Sequence, residues 1–244
     1  MNLIAAGVGK NQEIVEAAQS VEFPVRLVDN EKQLMEMISD PRTGAVVRGS
    51  LDSSIISSIK REYGNKIIRA SFIKIKNHEF LLAPVGIDEG KNLEEKARMV
   101  EQCCEFLKLM GKNPQVAIIS GGRSQDVGRS PQIDQSIEEG KHLTSIIKNK
   151  YPVKHYYILI EKAVKDRCNL ILAPDGISGN LIFRSLVLIG SIKSYGAVTL
   201  GMDHIFIDTS RDQSKSGYIR ALNFAYHLAR INTGEINVPF KTDL

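Results

Sequence analysis

Tryptophan is absent from this chain of 244 residues, and no apolar run approaches the ~20 residues that a bilayer-crossing helix needs. A membrane span is therefore not expected. Cysteine is scarce: Cys103, Cys104 and Cys168 are odd in number and lack metal spacing, and helix neighbours such as Cys103 and Cys104 point about 100° apart. They read as reduced, buried thiols of a cytoplasmic protein. The five histidines, His78, His142, His155, His204 and His227, show no HxxxH or other ligand spacing, and no GxSxG elbow occurs. These absences leave no metal centre and no hydrolase triad to expect. The net charge of +4 comes from Lys and Arg scattered among acids, with no basic-aromatic stripe, so nucleic acid is not an expected partner. The amino terminus, "MNLIAAGVGKNQEIVEAAQ", has no cationic segment ahead of its apolar run and does not read as a signal peptide.

What the chain does contain is alternation. "NLIAAG", "VRLVD" and "GAVVRG" are strand-like runs, each followed by a helical pattern, which is the βαβαβα signature of a parallel sheet. "IIRASFIKIK", a turn at "NHE" and "FLLAPVG" break that order as an antiparallel hairpin, and a domain boundary is placed just before it. A second α/β layer follows: helix "EEKARMVEQCCEFLKLMG" ending at Gly111, strand "QVAIISGG", helix "IDQSIEEGKHLTSIIKNK", strand "CNLILAPDG" and helix "NLIFRSLVLIGSI". The short strands "AVTLG" and "IFID" lead to a last helix at about 214–231. Its apolar face of Ile219, Leu222, Phe224, Ala225 and Leu228 needs a sheet to cover.

In open α/β sheets ligands sit beyond the carboxyl ends of strands, so the segment after each strand is the place to look. "AAGVGKN" fails as a phosphate loop, because Asn11 follows Lys10 where Ser or Thr is required. "VVRGSLDSS" puts Arg48, Gly49 and Ser50 at a strand end, as an anion contact or as the cap of the next helix. In "ISGGRSQDVGRS", Ser120, Gly121, Gly122, Arg123 and Ser124 could form a nest of N–H groups beside a bidentate guanidinium. "LAPDGISGNLIF" offers Asp175, Gly179 and Asn180 at a helix start. "IFIDTSRDQSKSG" crowds Ser210, Arg211 and Asp212 into one turn, and the expected ligand throughout is a small anion.

The order of these segments resembles the phosphate acetyl/butyryltransferase family across nearly the whole chain. The strongest matches are the Asp-x-x-x-Gly-Asn element, here Asp175, Gly179 and Asn180, and the Asp-x-Ser-Arg element, here Asp208, Ser210 and Arg211. The resemblance implies an α/β, two-domain isocitrate/isopropylmalate dehydrogenase-like fold with a cleft between domains that receives coenzyme A and acyl phosphate. On that pattern residues 1–67 and 208–244 form the first domain. Residues 68–207 form the second, with the hairpin and a homodimer interface. Ser210, Arg211 and Asp212 are then the expected catalytic residues.

Within this superfamily the short length and the "SGGRSQDVGRS" loop look most like methanogen marker proteins that bear a methyltransferase-subunit name, MtxX. One departure bears on chemistry: where the transacetylases carry an aspartate, taken as base for the coenzyme A thiol, this chain has Gly217. Three functions follow as alternatives: acyl or phosphate transfer, methyl transfer in methanogenesis, and a binding or assembly protein that has lost the chemistry.

Overall fold

The computed structural model describes residues 3–64, 66–236 and 240. Along the chain run β1 (Leu3–Gly7), α1 (Glu13–Gln19), β2 (Val25–Val28), α2 (Glu31–Ser39), β3 (Thr43–Val47) and α3 (Ser54–Tyr63). The hairpin β4 (Ile68–Ile75) and β5 (His78–Ala83) follows, then α4 (Leu93–Leu109), β6 (Val116–Ile119) and α5 (Pro131–Ile147). Next come β7 (Val153–Tyr157), α6 (Ile160–Lys165), β8 (Leu170–Leu172) and α7 (Gly176–Phe183), which widens into a π-helical segment at Arg184–Ile189. The chain closes with β9 (Lys193–Leu200), β10 (Phe206–Asp208) and α8 (Lys215–Asn232).

These elements form two compact units, Met1–Ile67 with Ser194–Leu244, and Ile68–Lys193. The second crossing falls at Lys193/Ser194, ahead of the 208 read from the sequence. The reason is pairing: β9 lies antiparallel to β10, with Phe206 opposite Thr199 and Asp208 opposite Ala197.

In the first unit the strands lie in the order β2, β1, β3, β10, β9, and all neighbours but the last pair are parallel. Helices on its faces make the parallel strands read as continuous apolar runs. Leu34, Ile38, Val46, Ile55, Ile59 and Phe206 meet in one core cluster. The last helix packs against β3 and α1. Its buried stripe is Tyr218, Ala221, Leu222, Phe224, Ala225, Leu228 and Ala229, so Tyr218 and not Ile219 opens the apolar face.

In the second unit the order is β4, β5, β8, β6, β7, with only β4 and β5 antiparallel. Helix starts are capped by side chains: Asn92 accepts from the Glu95 amide, and Ser130, just before Pro131, accepts from Ile133. The sequence reading passed over β7 and α6. "VKHYY" alternates too weakly to show, being an edge strand whose register shifts between Ile118 and Ile119 of its neighbour.

Candidate functional site

Parallel pairing brings the carboxyl ends of β1, β3 and β10 side by side in the first unit, and with them the turns that follow. Arg48 and Ser50 are only 6% and 4% exposed. Arg48 Nε forms an ion pair with Asp208 Oδ1 at 2.7 Å. Ser50 Oγ accepts from the Gly9 amide at 2.7 Å and donates to the Asn11 carbonyl at 2.7 Å. Gly49 takes φ +61°, and a Cβ there would lie 1.9 Å from the Gly7 carbonyl oxygen. Thr209 Oγ1 donates to the Gly49 carbonyl at 2.7 Å. The "RGS" turn is thus bolted between its neighbours, its polar groups engaged within the protein.

The 208–214 loop is fixed by its backbone. The Tyr218 hydroxyl donates to the carbonyls of Ser210 and Arg211, both at 3.0 Å, and Asn11 Nδ2 donates to those of Arg211 at 3.1 Å and Gln213 at 3.0 Å. Burial pushes the Tyr218 phenol up to about 12, so it stays a donor at neutral pH. Ser214 caps α8 by accepting from the Gly217 amide. Arg211, by contrast, reaches Asp52 Oδ2 at 2.6 Å in a pair 54% and 64% exposed. The Ser54 amide, and after it Arg211, holds the Asp52 carboxyl below the usual carboxylate range. Exposed pairs of this kind are worth about 0–1 kcal/mol, so the guanidinium is readily given up to another anion. Asp212 is exposed in the same loop.

In the second unit the expected nest is closed upon itself. Gly121 N donates to Ser136 Oγ at 2.8 Å, and Arg123 N donates to Asp126 Oδ2 at 2.8 Å. Arg129 adds a contact to Asp126 Oδ1 at 2.8 Å. Ser120 is buried with its Oγ 2.8 Å from His155 Nε2, while the Arg123 and Ser124 side chains lie at the surface. Burial, and behind it Lys141, lowers the His155 imidazole below its ordinary value, so it is neutral at pH 7.

The Asp175 carboxylate caps α7, accepting from Ser178 N at 2.8 Å and Ser178 Oγ at 3.0 Å. Gly176 and Gly179 let that helix touch backbone, since Cβ atoms there would lie 1.7 Å from the Gly86 and 1.8 Å from the Pro84 carbonyl oxygens. Asn180 Nδ2 donates to the Val85 carbonyl at 2.9 Å. The Asp-x-x-x-Gly-Asn element therefore docks a helix on the 84–89 turn.

The sequence-selected residues fall into two groups, one in each unit. Sequence reasoning missed Asn11, Gln213 and Tyr218, which shape the 208–214 loop, and Arg69 with Glu89, an ion pair at 2.8 Å under that turn. Asn11 and Gln213 lay in segments that drew notice as candidate sites, Asn11 as the residue that spoils a phosphate loop and Gln213 beside Asp212 without a role of its own. His204, one of the five histidines without ligand spacing, precedes β10 at its amino end and stands edge-on to Tyr63 at 5.7 Å.

No family model matches the chain. It is 41% identical over 234 residues to an uncharacterized methyltransferase of Methanocaldococcus jannaschii, covering 91% of this chain and 96% of that protein. It is 38% identical over 229 residues to a protein of Methanosarcina mazei named as methyltransferase mtx subunit X, covering 92% and 80%. Among solved structures, a branched-chain phosphotransacylase from Enterococcus faecalis superposes with a TM-score of 0.70 at 14% identity, over 94% of this chain and 99% of that one. A 4-hydroxythreonine-4-phosphate dehydrogenase from Klebsiella pneumoniae gives 0.61 at 10% identity, over 94% and 100%. At such identities the likeness is one of fold. No helix among the described residues is long and apolar enough to cross a membrane.

Proposed function

The chain belongs to the mtx subunit X family of methanogen proteins, with the fold of the phosphotransacylases, and from that premise we propose that it binds a phosphorylated or coenzyme A-type anion at Ser210 and Arg211. One observation carries this reading: the loop backbone is held rigid by Tyr218 and Asn11, while the Arg211 side chain is left at the surface on an exchangeable partner. Pre-organised backbone with a releasable guanidinium is what anion capture needs. Arg211 would leave Asp52 for the phosphate, and the Ser210 hydroxyl would add a hydrogen bond.

Acyl transfer at such a site joins a thiol sulfur to the acyl carbon, breaks the carbon–oxygen bond to phosphate, and releases the thiol proton. With glycine at 217, Asp212 is the carboxylate left in this loop to receive it. An exposed carboxylate stands in water rather than in the closed, dry site that proton abstraction favours, so group transfer by this route is slow.

The relatives' names support methyl transfer as a second reading. Its natural nucleotide loop is "AAGVG", but those glycines are engaged in packing. Cβ atoms on Gly7 and Gly9 would lie 2.5 Å from the Arg48 and 2.2 Å from the Ser50 carbonyl oxygens. That contact favours the Ser210–Arg211 site over a glycine-loop methyltransferase.

Arg211→Ala is expected to weaken phosphate binding roughly ten- to a hundredfold, the worth of one charged hydrogen bond, with the melting temperature nearly unchanged. Isothermal titration calorimetry and a thermal melt decide it. An unaltered affinity with a large fall in melting temperature would make the loop a structural cap.

A homodimer is part of the same proposal. Leu181 and Ile189, on α7 and its π-helical extension, are 60% and 82% exposed, an apolar surface that a second copy would cover. Leu181→Glu with Ile189→Glu is expected to convert the dimer to monomer in light scattering after size-exclusion chromatography. A wild type already monomeric would remove the proposal.

A further inference from the structure

A cavity of about 310 Å³ lies at the carboxyl ends of β5 and β8 in the second unit, walled by Lys96 of α4, Gln135, Ser136 and Glu139 of α5, and Gly176 and Ile177 of α7. Glu89 and Asp175 line it too, and of the lining residues Asp175 was already expected at an anion site from the sequence, whereas Lys96, Ser136 and Glu139 were not. We propose that this cavity is an oxyanion site in which Lys96 and Ser136 hold a phosphate or carboxylate group of a small metabolite.

Lys96 carries the inference. Its side chain is 7% exposed, and its Nζ lies 2.9 Å from Glu139 Oε2. An ammonium has three donors, and among the described residues no second acceptor is paired with this one. A buried charge with unmatched donors beside a cavity calls for acceptors from outside the chain. Glu139 is 31% exposed and can swing into solvent, so it is a placeholder an incoming anion can replace.

The other carboxylates nearby do not compete for Lys96. Glu89 is occupied by the Arg69 amide at 3.1 Å and Nε at 2.8 Å, and Asp175 by Ser178. Ser136 Oγ accepts from Gly121 N, which leaves its own hydrogen to donate. The first turn of α7 borders the same space and adds the positive end of its dipole.

The probe is inorganic phosphate at constant ionic strength, and the readout is the amide ¹⁵N–¹H shifts of Gly176 and Ile177 in the full chain. These shifts are expected to saturate with phosphate in the wild type, to need at least tenfold more phosphate in Lys96→Met, and severalfold less in Glu139→Gln, where the competing carboxylate is gone. Arg211→Ala should leave them unaltered, which separates this site from the one proposed above. Should Lys96→Met fail to fold, Glu139→Gln still decides. Amides that do not move in the wild type would overturn the proposal. So would a Glu139→Gln variant that binds phosphate no better, because Glu139 would then be no placeholder.

Discussion

Gly179→Ala is expected to lower the melting temperature by roughly 6–12 °C, taking about 3 kcal/mol of overpacking and about 2–4 °C per kcal/mol for a chain of this size. The cause is local. A Cβ at 179 would sit 1.8 Å from the Pro84 carbonyl oxygen, a backbone atom that cannot step aside unless the whole 84–89 turn moves. Gly121→Ala is the control, since its added carbon would meet the Ser136 hydroxyl at 3.2 Å, a side chain able to give way. Its melting temperature should fall by less than about 3 °C. If the two variants melt alike, close helix packing is not why glycine stands at 179, and ligand access becomes the better reason.

The second large effect concerns chemistry. The wild type is expected to transfer acetyl from acetyl phosphate to coenzyme A slowly or not at all, and Gly217→Asp alone is expected not to restore the reaction. A Cβ at 217 would lie 2.4 Å from Cγ and Cδ of Gln213, whose buried side chain fills the space a carboxylate would need. Gln213→Ala combined with Gly217→Asp clears that space and supplies the base. It should raise the rate by about 10²–10⁴-fold, the usual worth of general-base assistance. Robust transfer by the wild type that disappears in Asp212→Asn would show instead that the exposed carboxylate already serves.

Much of the fold could be read from the chain because its signals are local. Buried parallel strands are uninterrupted apolar runs, and the hairpin at "IIRASFIKIK" to "FLLAPVG" announces itself by its two-residue period. Where elements are defined by partners, the reading slipped. The sequence around β9 says nothing of its antiparallel partner β10, so the return to the first unit was set too late. The site was legible at the level of segments and not of roles. Arg48 and Asp175 look like ligand contacts in sequence, yet one is neutralised by Asp208 and the other caps a helix. Gln213 and Lys96 look like ordinary surface polar residues, and only the folded chain shows that both are buried.

A crystal structure of the protein soaked with phosphate tests the central claim most directly. The account predicts density for the anion within hydrogen-bond distance of the Ser210 hydroxyl and the Arg211 guanidinium, with Arg211 withdrawn from Asp52. Arg211 still paired to Asp52, with no anion at the loop under saturating phosphate, would contradict it.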